Sequence, residues 1–314
     1  MLDAGIGGNS RCRCRAVSRR EGAKRGAQFC FSVVKRQQIP LSSIQKRPNE
    51  GIVMNHTKGT WRSRSTILKA AAFATAAGLL AMPAAAVHSW NGYHWARTTT
   101  QVAPPVVNIT NSTWSARVAT AVGDWNRSTV IESPLSNSTG NNRTCKPLAG
   151  KILVCNAAYG QTGWLGIASI WLSSTGHISQ GTTKLNDTYY ASAQYNTPAW
   201  RQAVTCQEIG HNYGLAHQDE DFSTDATSSC MEYTSIPEGN EHPDQHDYDQ
   251  LVSIYSHTDS AAAAAAVKAM PSQAAVGNSR ADWGRQIGDH TFERDLGNGQ
   301  KVITDVLFVG HTHG

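Results

Sequence analysis

The densest chemistry in the chain lies between residues 206 and 233. Gln207 and His211 stand four positions apart, so on a helix their side chains share one face and can converge on one cation. Glu208 is one step round that helix, which sets its carboxylate beside such an ion rather than on it. A carboxylate there is placed to take a proton from a water that the ion activates. Gly214 can adopt the positive φ that ends a helix and turns the chain. The turn lets His217 swing back as a further ligand. Downstream, Ser228-Ser229-Cys230-Met231-Glu232-Tyr233 supplies a methionine in a short turn-like segment.

These residues need a scaffold, and the flanking sequence predicts one. Asn111 to about Ser128 reads as an amphipathic helix, with Trp114, Val118, Ala121, Val122 and Trp125 recurring at spacings of three and four. Ile152–Cys155 and Leu165–Leu172 read as buried strands, and a further strand is expected near Ile178–Leu185. Trp200 to Tyr213 is predicted helical. So is Asp247 to about His257, with Tyr248, Leu251, Val252 and Tyr255 on one face. The alanine-rich run 260–275 reads as a helical continuation or a linker, and 276–314 as an accessory tail with a small β-element.

With those elements placed, residues 207–217 resemble the metzincin zinc-endopeptidase signature H-E-x-x-H-x-x-G-x-x-H, followed by a Met-turn. The layout is most similar to the matrixin-like secreted enzymes. Glu208, His211, Gly214, His217 and Met231 match position by position. Tyr233 matches the S-x-M-x-Y form of the astacin and serralysin branches. The resemblance covers roughly 88–258. It implies an α+β, metzincin-like zincin fold: a twisted mixed sheet, a ligand-bearing active-site helix and a Met-turn. It further implies a Zn2+ cofactor, a protein or peptide substrate, Glu208 as general base and Tyr233 as a group that steadies the oxyanion.

The chain departs from that signature at one ligand, because Gln207 stands where the first histidine belongs. A carboxamide oxygen is a poorer match to zinc than an imidazole nitrogen. Three readings stay open. Gln207 Oε1 ligates a weaker working site; two histidines hold the metal with Asp219, Tyr233 or water completing the shell; or zinc is lost and the scaffold serves as a secreted binding protein.

The acidic loop of Gln218, Asp219, Glu220, Asp221 and Asp225 offers hard oxygens for Ca2+, and a solvated loop is its plainer reading.

Charge and cysteine usage place the protein. Residues 1–69 hold 15 Lys+Arg against 3 Asp+Glu, and the rest holds 13 against 20. The basic character therefore belongs to the leader, and the acidic body argues against nucleic acid as a partner. Lys58, Arg62, Arg64 and Lys69 precede an apolar run from Ala70 to Met82 that ends in Ala84-Ala85-Ala86. That is the pattern of a secretory signal peptide over 54–86, which leaves no stable membrane insertion once removed. Residues 1–53 are expected to be a non-translated or disordered extension, and 87–259 the metallopeptidase domain of a secreted, extracellular monomer. Of the four cysteines beyond the leader, Cys145 and Cys155 bracket a turn-containing stretch that suits a local disulfide. Cys206 would then pair with Cys230, tying the residue before Gln207 to the residue before Met231.

Overall fold

A computed structural model describes residues 88–222 and 228–310, all within one compact unit, Gly78–Gly314. The expected extension and signal peptide, together with Asp225, lie outside the described residues. Strand β1 (His94–Trp95) leads to β2 (Val106–Asn108), helix α1 (Ser112–Trp125), β3 (Leu135–Asn137), β4 (Ile152–Ala157), β5 (Trp164–Leu172) and β6 (His177–Asn186). Helices α2 (Pro198–His211), α3 (Gln245–Ile254), α4 (Ala261–Lys268) and α5 (Arg280–Trp283) follow, and β7 (Arg285–Gln286), β8 (Thr291–Gly297) and β9 (Gln300–Phe308) close the chain.

The strands form one mixed sheet in the order β3-β2-β4-β6-β5-β9-β8-β7, with β1 paired to the start of β6. Strands β2, β3, β4 and β6 run parallel, whereas β5 is antiparallel to both β6 and β9. Every residue of β5 and β6 is buried, as expected of strands covered on both faces. On one face α1 sends in Trp114, Val118, Ala121, Val122 and Trp125, the predicted stripe, capped by Asn111 accepting from the Thr113 N–H. The same core takes Ala168, Ile170 and Leu172 from β5. On the opposite face Ile167 and Trp171 pack with Val276, Trp283, Phe292, Val302 and Val306.

Residues 276–310, expected as an accessory tail, are therefore part of the sheet. They cover its second face and extend it past β5. Two disulfides, Cys145–Cys155 and Cys206–Cys230, complete the frame.

Helix α2 packs tightly against the segment that carries Met231. A Cβ on Gly210 would lie 2.5 Å from Met231 Sδ and 2.5 Å from Trp125 Cζ2. Overpacking of that kind costs about 1–3 kcal/mol. Gly210→Ala is expected to lower the unfolding free energy by that amount, measured by urea denaturation; an unchanged midpoint would contradict this packing.

Candidate metal centre

Helix α2 is capped by Thr197, whose hydroxyl accepts from the Trp200 N–H, with Pro198 in the first turn. Its buried length carries Gln207, Glu208 and His211 toward β5 and β6. The close approach of Glu208 depends on Gly166 of β5, because any Cβ there would collide with the Glu208 carboxylate. The backbone of Glu208 is held as well, its carbonyl accepting from Thr183 Oγ1 at 3.0 Å and from Asn212 Nδ2 at 2.7 Å. Gly214 has φ +95°, and a Cβ at that position would run into the Tyr93 carbonyl. The turn it makes is stitched to the start of the described chain by Trp90 N–H to Gly214 O, 2.9 Å, and Ala216 N–H to His88 O, 2.6 Å. His217 thereby comes back to His211, their rings edge to face at 4.6 Å.

Both imidazoles are anchored through Nδ1. His211 Nδ1 lies 2.8 Å from the Leu215 carbonyl, and Trp90 stacks on the ring at 4.8 Å. His217 Nδ1 lies 3.3 Å from Glu220 Oε1. A carbonyl or a carboxylate accepts, so each Nδ1 carries the hydrogen and each Nε2 presents a lone pair. Neither Nε2 has a hydrogen-bond partner. Burial, the largest influence on each ring, holds both well below the usual histidine range, which keeps them neutral and competent as ligands.

The carboxylate facing them comes from β9. Alternation along β9 turns Ile303, Asp305 and Leu307 to the α2 face, and Val302 and Val306 to the opposite core. Asp305 Oδ2 accepts from Thr291 Oγ1 at 2.8 Å, while Oδ1 has no hydrogen-bond partner. Oδ1 lies 3.7 Å from His211 Nε2 and 3.6 Å from His217 Nε2. Burial pushes Asp305 up to about 8. Burial and then the Asp305 charge push Glu208 well above the ordinary carboxylate range, and both Glu208 oxygens also lack partners. A buried carboxylate is costly unless it takes up a proton or a cation balances it.

This donor set fits zinc. His211, His217 and Asp305 each offer one ligand atom, all within 4.8 Å of one another and all buried. Neighbouring ligands on a tetrahedral zinc stand about 3.3 Å apart, close to the separations from Asp305 given above.

Gln207 is buried nearby, its Nε2 donating to the Glu232 carbonyl at 3.3 Å and its Oε1 without a hydrogen-bond partner. Asp219 Oδ1 accepts from the Asp221 N–H at 2.9 Å, and the acid grouped with the two histidines is Asp305. Tyr233 packs on His217 at 4.1 Å and on His290 at 4.3 Å. Met231 lies beneath the helix, its N–H held by Ser229 Oγ at 2.8 Å, and Gln218 N–H reaches the Met231 carbonyl at 2.7 Å. Around the acidic loop, Gln218 Nε2 bonds Asp244 and Asp247 at 2.9 and 2.8 Å, and nothing in the described part supports Ca2+. Sequence reasoning missed Asp305. Its signal was an acid in the middle of the apolar run Val302–Phe308.

No protein-family model matches the chain, and no curated protein matches it in sequence. Among solved structures it is similar to high choriolytic enzyme 1, a hatching-enzyme zinc-protease from Oryzias latipes (medaka fish). The likeness covers 52% of this chain and 94% of that one, at 14% identity and a TM-score of 0.29.

Proposed function

We propose that the chain is a secreted zinc-dependent endopeptidase whose own C-terminal strand lies across the active site. The observation that carries this reading is the convergence of His211 Nε2, His217 Nε2 and Asp305 Oδ1, none hydrogen-bonded, beside an equally unpartnered Glu208. A zinc ion held there supplies Lewis acidity and brings the pKa of a water toward neutrality. Glu208 takes the proton of the attacking water on its carboxylate and returns it to the leaving amine. Tyr233 donates its hydroxyl to the developing oxyanion. Cys206–Cys230 limits motion of the ligand helix against the Met231 segment. The two disulfides suit an oxidising compartment, and no described helix is long and apolar enough to cross a membrane.

Strand β9 supports a peptide as substrate and explains how the site is closed. It pairs antiparallel with β5 from Trp164 to Leu172, so this edge accepts an extended polypeptide and sets one residue, Asp305, at the histidines. A substrate on the same edge would present its scissile carbonyl there. Leu307, Phe308 and Gly310 close one side of a cleft of about 350 Å³, whose other wall of Leu165, Tyr195, Trp200 and Phe222 would remain for an apolar substrate side chain once β9 leaves. Glu208, His211, Asp305 and Tyr233 are all fully buried, so cleavage requires β9 to leave. Gln207 Oε1, which has no hydrogen-bond partner, would then be available as a third donor.

Peptide-cleavage assays with and without a chelator test the reading. Chelation is expected to abolish hydrolysis, and added zinc to restore it. Hydrolysis that persists after complete metal removal contradicts it.

A further inference from the structure

A second group of ligand side chains lies apart from the residues above and has no part in the proposed catalysis. His94 stands on β1, His177 opens β6 opposite it, and His257 and Asp259 follow α3. Their polar atoms meet. His177 Nε2 lies 3.0 Å from Asp259 Oδ1, His94 Nε2 lies 3.4 Å from Asp259 Oδ2, and His257 Nε2 lies 3.5 Å from Asp259 Oδ1. His257 Nε2 and His94 Nε2 are 3.2 Å apart. The rings stand edge to face about His94, at 4.9 Å for His177 and 4.8 Å for His257.

The outer bonds decide what the inner atoms can do. His94 Nδ1 lies 2.7 Å from the Gly92 carbonyl, which can only accept, so the hydrogen sits on Nδ1 and neutral His94 presents a lone pair at Nε2. That lone pair faces a carboxylate oxygen and a second imidazole nitrogen. His177 Nδ1 is anchored by Thr175 Oγ1 at 2.8 Å, which in turn meets Ser173 Oγ at 2.9 Å. Asp259 is fixed from the side by the Arg97 N–H at 2.7 Å. Ligands held by such outer partners are oriented before a metal arrives.

We propose that His94, His177 and Asp259 form the core of a second, structural zinc site, with the exposed His257 closing it as the fourth ligand. His94, His177 and Asp259 each offer one ligand atom within 4.8 Å of the others, and His257 Nε2, 3.2 Å from His94 Nε2 and 3.5 Å from Asp259 Oδ1, is placed to supply the fourth donor that would close a tetrahedral set. The ion joins three segments distant in sequence: residues 92–97, the β5–β6 turn and the chain leaving α3. It thereby fastens the segment that stacks Trp90 on His211 to the point where the C-terminal arm departs. His257, about half exposed, is the side from which the ion enters. The bland rival is an Asp259 salt bridge to a protonated histidine, with no metal.

The site stands independently of the peptidase reading, and so does its test. Metal analysis after dialysis of the full chain is expected to give two zinc ions per molecule. His257→Ala, on an exposed side chain, is expected to leave the fold intact and weaken zinc at one site by at least about tenfold. His177→Ala is expected to remove that ion and lower Tm, leaving the ion that His211→Ala removes. Crystals diffracted at the zinc edge are expected to show a peak among the four side chains. One ion per chain, unaffected by His257→Ala and His177→Ala but lost in His211→Ala, would overturn the proposal. An ion that survives His211→Ala but not His177→Ala would uphold it even if the peptidase reading fails.

Discussion

Glu208→Gln is expected to cut peptide hydrolysis by about a hundred- to ten-thousandfold, the range over which a positioned general base contributes. The substitution keeps the shape that Gly166 makes room for and changes only the group's ability to take a proton. The backbone of residue 208 stays clamped by Thr183 and Asn212, so the helix is expected to hold its place and bound zinc to remain at the wild-type level. Steady-state kinetics beside metal analysis reads both. Full activity with normal zinc content would assign the base elsewhere. Loss of zinc along with activity would show that Glu208 serves the metal site instead.

The largest gain is expected from Asp305→Ala in the full-length chain. Asp305 is the one β9 side chain facing both ligand histidines, and its Oδ1, without a hydrogen-bond partner, would be balanced by a cation lying among them. Removing one partner from a buried ionic set costs about 3–5 kcal/mol, and here that cost falls on the closed arrangement alone. Each 1.4 kcal/mol shifts a two-state population about tenfold, so activity is expected to rise on the order of a hundredfold or more. The anchoring of the arm outside the site, including Lys184 Nζ on the Val276 carbonyl at 2.6 Å and on Asn278 Oδ1 at 2.8 Å, remains in that variant. The comparison is therefore between two folded proteins. A fall in activity with loss of zinc would make Asp305 a working ligand and would end the account of β9 as a cover.

Much of the scaffold was written locally and was legible for that reason. The stripe of α1, the apolar runs of β5 and β6, and the helical spacing of Gln207 and His211 are patterns of three, four or two residues that need no distant partner to interpret. The disulfide pairs followed from cysteine spacing along the chain. What escaped was long-range. Nothing near Val302 says that β9 will lie on β5, because any free sheet edge of suitable pattern can accept an apolar strand. The side-chain alternation that delivers Asp305 to the histidines takes effect only once that pairing and its register exist. Asp305 itself stood out as a charge within an apolar strand, which is a sign of a partner but not of which one. The His94, His177, His257 and Asp259 group was hidden in the same way, its members scattered over three segments with no recognisable spacing.

The central claim is that one divalent ion sits between His211 and His217, beside Glu208. Diffraction from zinc-loaded crystals of the full chain at the zinc absorption edge tests it most directly. The predicted result is an anomalous peak about 2.0–2.2 Å from His211 Nε2, His217 Nε2 and Asp305 Oδ1. No peak at that position, with the two imidazoles turned away from each other, would contradict it.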